Sequence, residues 1–380
     1  MPARLVKREC PACHEVKNFR ADVKTCGCRG TNPVLNVNAS AASRQVKQPE
    51  SEVIEHLRAK NRGLEADVAH LREIVGEQRE LTAMVVEAVK AADPLPHPRK
   101  IDTNKSSKDV SALFVLSDLH VGEVIRADET EGMNEYNYAI AQERLFDIED
   151  SEIKWATKQR NAYNINKAVV VLLGDYVSGD IHYELTATNE FPVPVQTAKA
   201  GLLLGEYIRR LAPHFNEVEV YEIGADNHGR LQKKPQAKQK ATNSFSYLVH
   251  AITNSYCEKI PNVKITEATG AKMLINVNGW DFLAEHGDNI KSHMGFPVYG
   301  IMRSRWREAT KRMKTNLGFN YYLLGHFHVP YIMENSVFGN GSLSGTSEYD
   351  HMAGRYADPA QIAMLVHPKH GAFNFTAFKA

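Results

Sequence analysis

Residues 168–176 read Ala168-Val169-Val170-Val171-Leu172-Leu173-Gly174-Asp175-Tyr176. Six unbroken apolar residues, three of them β-branched, predict a strand covered on both faces, and the Gly-Asp that ends the run predicts a turn. Four further short apolar runs read the same way: Ala112–Val115, Val218–Ile223, Phe282–Ala284 and Tyr321–Leu324. Amphipathic helical patterns separate them, so an α/β domain begins near Ser111. Asn278-Gly279 between two apolar runs, and Pro368 to Gly371 before Phe373–Phe378, predict hairpins that add antiparallel strands.

Each of the five strands ends in residues that bind divalent metals. The blocks are Ser117-Asp118-Leu119-His120, Gly174-Asp175-Tyr176, Asp226-Asn227-His228, Glu285-His286-Gly287 and Gly325-His326-Phe327-His328. One strand-terminal Gly-Asp is an ordinary turn, and one His is an ordinary surface residue. Five blocks in succession, each after an apolar run, point instead to loops that converge outside the carboxyl ends of a sheet. Asp, Asn and His together suit Mn²⁺, Fe or Zn²⁺.

In that order the blocks resemble the calcineurin-like metallophosphoesterase superfamily, whose pattern is D-x-H, G-D, G-N-H-[D/E], H and G-H-x-H. The resemblance covers about Ser111 to Ala380 and implies a two-layer β-sandwich flanked by helices, with a dinuclear metal site on its strand ends. By motif, Asp118, His120, Asp175 and His328 would hold one metal. Asp175 as bridge, Asn227, His286 and His326 would hold the other. Mn²⁺ is the expected ion, with Fe or Zn²⁺ as alternatives. The resemblance also implies a hydroxide between the metals as nucleophile, with His228 binding the phosphate and protonating the leaving oxygen. Asp175 and Asn227 join His228 as the implied catalytic residues.

Two departures stand out. Asp226 occupies the place of the usual Gly, and Gly229 that of the acidic residue after the His, which leaves the orienting partner of His228 unassigned. The run Gly174-Asp175-Tyr176-Val177-Ser178-Gly179 lacks the second Asp and the Arg of the Ser/Thr protein phosphatases. Asp180, His182 and Glu184 follow within reach of the site, a solvated turn being the simpler reading, and Asn340-Gly341-Ser342 reads as a hairpin turn or a strand bordering the crevice.

The choice of substrate rests on surface chemistry. Arg230, Lys233, Lys234, Lys238 and Lys240 form an acid-free basic run directly after His228. A second run, Arg303, Arg305, Arg307, Lys311, Arg312 and Lys314, is helical in pattern, has Glu308 as its only acid and carries Trp306. A polyanion in the cleft would meet both; the bland reading is solvated faces. The leading expectation is a Mn²⁺-dependent phosphodiesterase acting on DNA, RNA remaining open, similar to the double-strand-break-repair nucleases of the superfamily. A phosphatase or cyclic-nucleotide phosphodiesterase with a small substrate is one alternative. A non-catalytic DNA-binding scaffold is the other.

The N-terminal part has a separate character. Residues 1–49 hold nine Lys/Arg against three Asp/Glu, and four of the five cysteines lie within the first 28 residues. Cys10-Pro-Ala-Cys13 and Cys26-Gly-Cys28 are spaced to hold one structural Zn²⁺ in a module of residues 1–30. A linker (31–49), a helix (50–92) and a Pro-rich linker (93–110) follow, before a catalytic domain at 111–380. Over Ile54 to Val89 a heptad places Ile54, Asn61, Val68, Val75, Thr82 and Val89 at a and Leu57, Leu64, Leu71, Gln78 and Val85 at d, with the polar Gln78 and Thr82 making the far end weaker. Lys60 would face Glu65, and Asp67 Arg72, of a parallel partner, so a homodimeric coiled coil is expected over a helix folded back on its own domain.

At 380 residues, 43% apolar and 24% charged, the chain is neither disordered nor a small disulfide scaffold. A net charge of +1 names no partner by itself. No apolar run approaches the ~20 residues of a membrane helix, and no signal region opens the sequence. The expected location is the cytoplasm, that of the host if the chain is phage-encoded.

Overall fold

The structure is a computed structural model. It describes residues 109–291 and 297–380, the backbone of strands at 5–9 and 16–20, and helical residues 55, 58–70, 72 and 76. The chain divides into two compact units, Met1–Arg99 and Lys100–Ala380.

In the first unit, β1 (Leu5–Glu9) and β2 (Val16–Arg20) form an antiparallel hairpin that pairs Leu5 with Arg20 and Glu9 with Val16. Cys10 and Cys13 fall between the two strands in sequence; all four N-terminal cysteines lie outside the described residues. So do the two ends of the 54–89 heptad pattern. Its central part, residues 58–70, is helical (α1) and exposed throughout, with Leu64 at 52% and Val68 at 45% of full exposure.

The second unit is mixed α/β with two sheets. Six strands lie in the order β13-β12-β3-β4-β5-β6, and five in the order β10-β11-β9-β8-β7. The first sheet has a parallel centre of β3 (Asp109–Leu116), β4 (Asn164–Leu172), β5 (Glu217–Glu222) and β6 (Val263–Glu267), extended antiparallel by β12 (Ala360–His367) and β13 (Gly371–Lys379). In the second, β8 (Trp280–Glu285), β9 (Tyr321–Leu324) and β11 (Val337–Gly339) are parallel, flanked by antiparallel β7 (Lys272–Val277) and β10 (Tyr331–Met333). The expected hairpins are β7–β8, with Asn278 at φ 52° and Gly279 at φ 86°, and β12–β13. β6, β10 and β11 escape the sequence reading: two are half-exposed edges and the third has three residues.

Alternation along the strands sorts the core into layers. Leu113 and Val115 of β3 meet Ile275, Phe282, Ala284 and Leu323 of the other sheet in one cluster. Ala112, Phe114 and Leu116 face the opposite way, against α2 (Tyr138–Gln159), α4 (Val193–Leu211) and α5 (Phe245–Cys257), the short α3 (Tyr183–Thr188) preceding α4 in the chain. The second sheet is covered on its outer face by α6 (Val298–Met313), through Ile301 against Leu283, Tyr322 and Leu324. The result is two sheets face to face between helices, as the sequence leads one to expect, with every ligand block at a strand's carboxyl end. No described helix is long and apolar enough to cross a membrane.

Candidate active site

Backbone pairing brings the loops together before any side chain is considered. Asp118 N donates to Gly174 O at 3.0 Å, His120 N to Asp175 O at 3.0 Å and Val121 N to Tyr176 O at 2.9 Å, so the first two loops run side by side beyond β3 and β4. Gly325 N donates to His286 O at 3.0 Å and joins the fourth loop to the fifth. His326 N donates to both Asp118 carboxylate oxygens at 3.1 Å, and His228 N to Asp175 Oδ1 at 2.9 Å. Asp118, His120, Asp175, His326 and His328 all have left-handed φ angles between 47° and 68°. Such conformations cost on the order of 1–3 kcal/mol each and persist where a site requires them.

Among the described residues, three groups of side chains could each hold a metal ion: Asp118, His120 and His328; His120, Asp175 and His228; and Asp175, His286 and His326. His120 Nε2 and His328 Nε2 lie 3.2 Å apart, and His328 Nε2 is 3.4 Å from Asp118 Oδ1. His286 Nε2 is 2.9 Å from Asp175 Oδ2 and 3.0 Å from Asn227 Oδ1. Asp175 Oδ2 is buried, with the ring of His286 against it. Because Leu173 O can only accept, the 2.8 Å contact with His286 Nδ1 keeps a proton there, so Nε2 is the nitrogen that becomes a lone-pair donor once the ring is neutral. This oxygen and nitrogen donor set, already turned inward, fits divalent cations.

Burial would push His286 down, but the carboxylate of Asp175 carries it up to about 10. Burial would likewise lower His328, and the hydrogen bond and charge of Asp118 raise it to about 9. Burial and the charge of His286 press His326 down to about 4. Burial, then His228 and His328, hold His120 well below its usual value. Burial opposes ionisation of Asp175, but His286 and His228 outweigh it and keep the carboxyl well below the usual range. At neutral pH the protein alone therefore carries protons on His286 and His328, and a ligating ring must give its proton up. We expect divalent-metal affinity to rise with pH from 7 to about 9, with about two protons released. Calorimetric titration in buffers of different ionisation enthalpy checks this, and a pH-independent affinity contradicts it.

His228 belongs to the second of these groups, its ring 4.5 Å from that of His120. Its orienting partner, absent from the sequence reading, is a backbone group: the Nδ1–H donates to Ser178 O at 2.6 Å. Gly179 permits that approach, with φ 73° and the place of a Cβ only 2.2 Å from His228 O. The two sequence departures belong together. Asp226 Oδ1 accepts Gly229 N at 2.7 Å and Oδ2 accepts Ser246 Oγ at 2.6 Å, while a Cβ on Gly229 would sit 2.1 Å from that same Ser246 Oγ. Burial and the charge of Asp175 raise Asp226 to about 6.

Behind Asp118 lies a polar brace of which the sequence points to Ser117 and residues 340–342 but not to Gln361. Ser117 Oγ donates to Asp118 Oδ2 and accepts Asn340 Nδ2 at 2.9 Å. Gln361 Oε1 accepts Asn340 Nδ2 at 2.7 Å and Ser117 N at 2.9 Å, and Ser117, Asn340 and Gln361 are all fully buried. Ser342 Oγ donates to Asp118 O at 3.2 Å, so residues 340–342 border the site from beneath. Gln361 was hidden inside a β12 that reads as core. Replacing Gln361 by Leu strands two buried donors, and outer partners of this kind are worth about 10- to 100-fold in metal affinity. We expect one of two metal-binding events to weaken by that factor in calorimetric titration, while equal weakening of neither or both contradicts the brace.

Around the site, His182 and Glu184 are exposed and Asp180 is partly so. Of the first basic run, Arg230 turns onto Gln232 O and Lys233 O, and Lys240 contacts both oxygens of Asp288 at 2.6 Å. Lys233, Lys234 and Lys238 are exposed. The second run forms α6, with Arg307 and Lys311 exposed and Arg303 partly so.

No family model matches the chain, and no curated protein matches it. Among solved structures it is similar to a conserved uncharacterized protein, a predicted phosphoesterase, from Streptococcus pneumoniae TIGR4, at 10% identity and TM-score 0.25 over 56% of this chain and 97% of that one. It is also similar to vacuolar protein sorting 29 from Cryptosporidium parvum, at 10% identity and TM-score 0.28 over 71% and 99%. A third similar structure is Vps29 with Zn²⁺ from Entamoeba histolytica, at 10% identity and TM-score 0.26 over 70% and 98%. Likeness this distant carries no conclusion about chemistry.

Proposed function

We propose that the Lys100–Ala380 unit is a dinuclear-metal phosphodiesterase that hydrolyses phosphodiester bonds of DNA. The observation that supports this most is the convergence of Asp118, His120, Asp175, Asn227, His286, His326 and His328 from five loops, with Asp175 belonging to two of the three candidate groups. Asp118, His120, Asp175 and His328 would hold one ion, Asp175, Asn227, His286 and His326 the other, with Mn²⁺ favoured over Fe or Zn²⁺. Bound there, two divalent ions act as Lewis acids on phosphoryl oxygens and make water a nucleophile near neutral pH.

The remaining chemistry falls to the chain. His228, fixed by Ser178 O through Nδ1, has Nε2 left to meet a phosphate and to deliver a proton to the departing oxygen. Asp175 fixes the third loop by accepting His228 N, so the proton donor and the shared carboxylate keep one geometry. Strained φ angles at five ligand positions give the site a shape set before substrate arrives.

In this reading Cys10, Cys13, Cys26 and Cys28 hold a structural Zn²⁺, and residues 54–89 pair two copies of the chain. The outward Leu64 and Val68 of α1 support the pairing. To test the function, metal-reconstituted protein is incubated with end-labelled single- and double-stranded DNA in Mn²⁺, beside bis(p-nitrophenyl) phosphate. Shortened DNA, abolished by EDTA, is the expected result. Turnover of the small ester with intact DNA would point to a phosphatase or cyclic-nucleotide phosphodiesterase. No turnover and no metal in the catalytic unit would point to a scaffold.

A further inference from the structure

We propose that the outer face of α6 is a track for single-stranded polynucleotide, beginning at the metal-bearing edge of the sheet and running away from it; the substrate class rests on the phosphodiesterase reading above. α6 joins the carboxyl end of β8, where His286 sits, to the start of its parallel neighbour β9, so it runs opposite to both strands. Its N-terminal end therefore lies at the level of the metal ligands. With 3.6 residues per turn, Arg303, Arg307, Thr310 and Lys314 fall on one stripe about 16 Å long, with Lys311 beside it and Trp306 and Met313 along the opposite border. Arg307 and Lys314 are exposed and Arg303 partly so; Lys311 is 73% exposed, Trp306 53% and Met313 77%.

The helix segregates its charges. Glu308 faces inward at 9% exposure, where it meets Lys272 Nζ at 3.1 Å, Arg312 Nε at 3.4 Å and Lys311 Nζ at 3.8 Å, and Arg305 is paired with Glu334 at 3.0 Å. Lys272, Arg305, Lys311 and Arg312 are thus paired with acids, while the row of Arg303, Arg307 and Lys314 faces solvent. An indole held among outward cations suits stacking of unpaired bases over a tracked phosphate backbone. A duplex offers no base faces to a helix surface, and a membrane would call for a broader apolar stripe than Trp306 and Met313 supply. The loop after His228 offers less, because Arg230 and Lys240 are engaged within the protein.

The test is fluorescence anisotropy of a labelled single-stranded 20-mer on the full chain, without added divalent ions, over a salt series. Combined Arg303→Ser, Arg307→Ser and Lys314→Ser should weaken binding at least about tenfold and lower the log–log salt slope by about two, from roughly 0.7 per phosphate contact. Trp306→Ala should weaken it about fivefold or more with the slope unchanged. All four positions are at the surface, and hydrolysis of bis(p-nitrophenyl) phosphate should stay at the parental rate in both variants. Parental binding of the 20-mer by the triple variant overturns the track, as does a loss confined to phosphatidylserine vesicles, which would make the face a membrane contact. If the parent hydrolyses no small ester, the phosphodiesterase reading fails, and the anisotropy still decides the track.

Discussion

Asp175→Asn lowers phosphodiester hydrolysis by about a thousandfold or more and removes metal from the protein without unfolding it. Asp175 is the residue shared by the His120–His228 and the His286–His326 groups. Its Oδ1 accepts His228 N, its Oδ2 faces His286 Nε2 at 2.9 Å, and its carbonyl accepts His120 N at 3.0 Å. The amide keeps the shape and the backbone contact but loses the charge. Metal ions supply several kcal/mol of transition-state stabilisation, and about 1.4 kcal/mol is tenfold in rate, so three decades is the expected scale. The same change removes the carboxylate that holds His286 up to about 10. Without it burial favours the neutral His286 ring, so the fold need not retain an unpaired buried charge. Metal analysis and initial rates on bis(p-nitrophenyl) phosphate, with thermal unfolding as the check on folding, decide the matter. Turnover within a few-fold of the parent contradicts the shared role.

His228→Ala separates proton donation from metal binding. The ring lies among the ligands but is fixed by Ser178 O at 2.6 Å, a partner that leaves Nε2 for substrate. General acid catalysis contributes about 10²–10⁴-fold, and most where the leaving oxygen is basic. DNA cleavage, which expels an alkoxide, should therefore fall by that factor. Hydrolysis of bis(p-nitrophenyl) phosphate, which expels a stable phenolate, should fall far less, and metal content should hold. Equal losses on both substrates would make His228 a binding or ligating residue instead.

Much of this architecture was legible because parallel strands buried on both faces write themselves as apolar runs. Ala168–Leu173 and Tyr321–Leu324 could be read from sequence for that reason, and the ligand blocks at their ends followed from the rule that sites gather at carboxyl ends. What stayed hidden depends on contacts between residues distant in sequence. Ser178 O orients His228 across 50 positions, and Gln361 supports Ser117 across 244. Neither a backbone carbonyl nor a glutamine inside an apolar strand leaves a pattern in the sequence. The paired departure at Asp226 and Gly229 was visible, but its cause, Ser246 at the start of α5, was not. The basic runs illustrate a related loss. Composition counts Arg230 with Lys234, whereas the structure turns Arg230 onto its own loop and leaves Lys234 exposed.

The central claim is that one cluster of side chains holds two metal ions sharing Asp175. Anomalous diffraction at the manganese edge, from crystals grown in Mn²⁺, tests it most directly. The account predicts two peaks about 3.5–4 Å apart, one against Asp118, His120 and His328, the other against Asn227, His286 and His326, with Asp175 touching both. A single peak, or none within reach of Asp175, would contradict it.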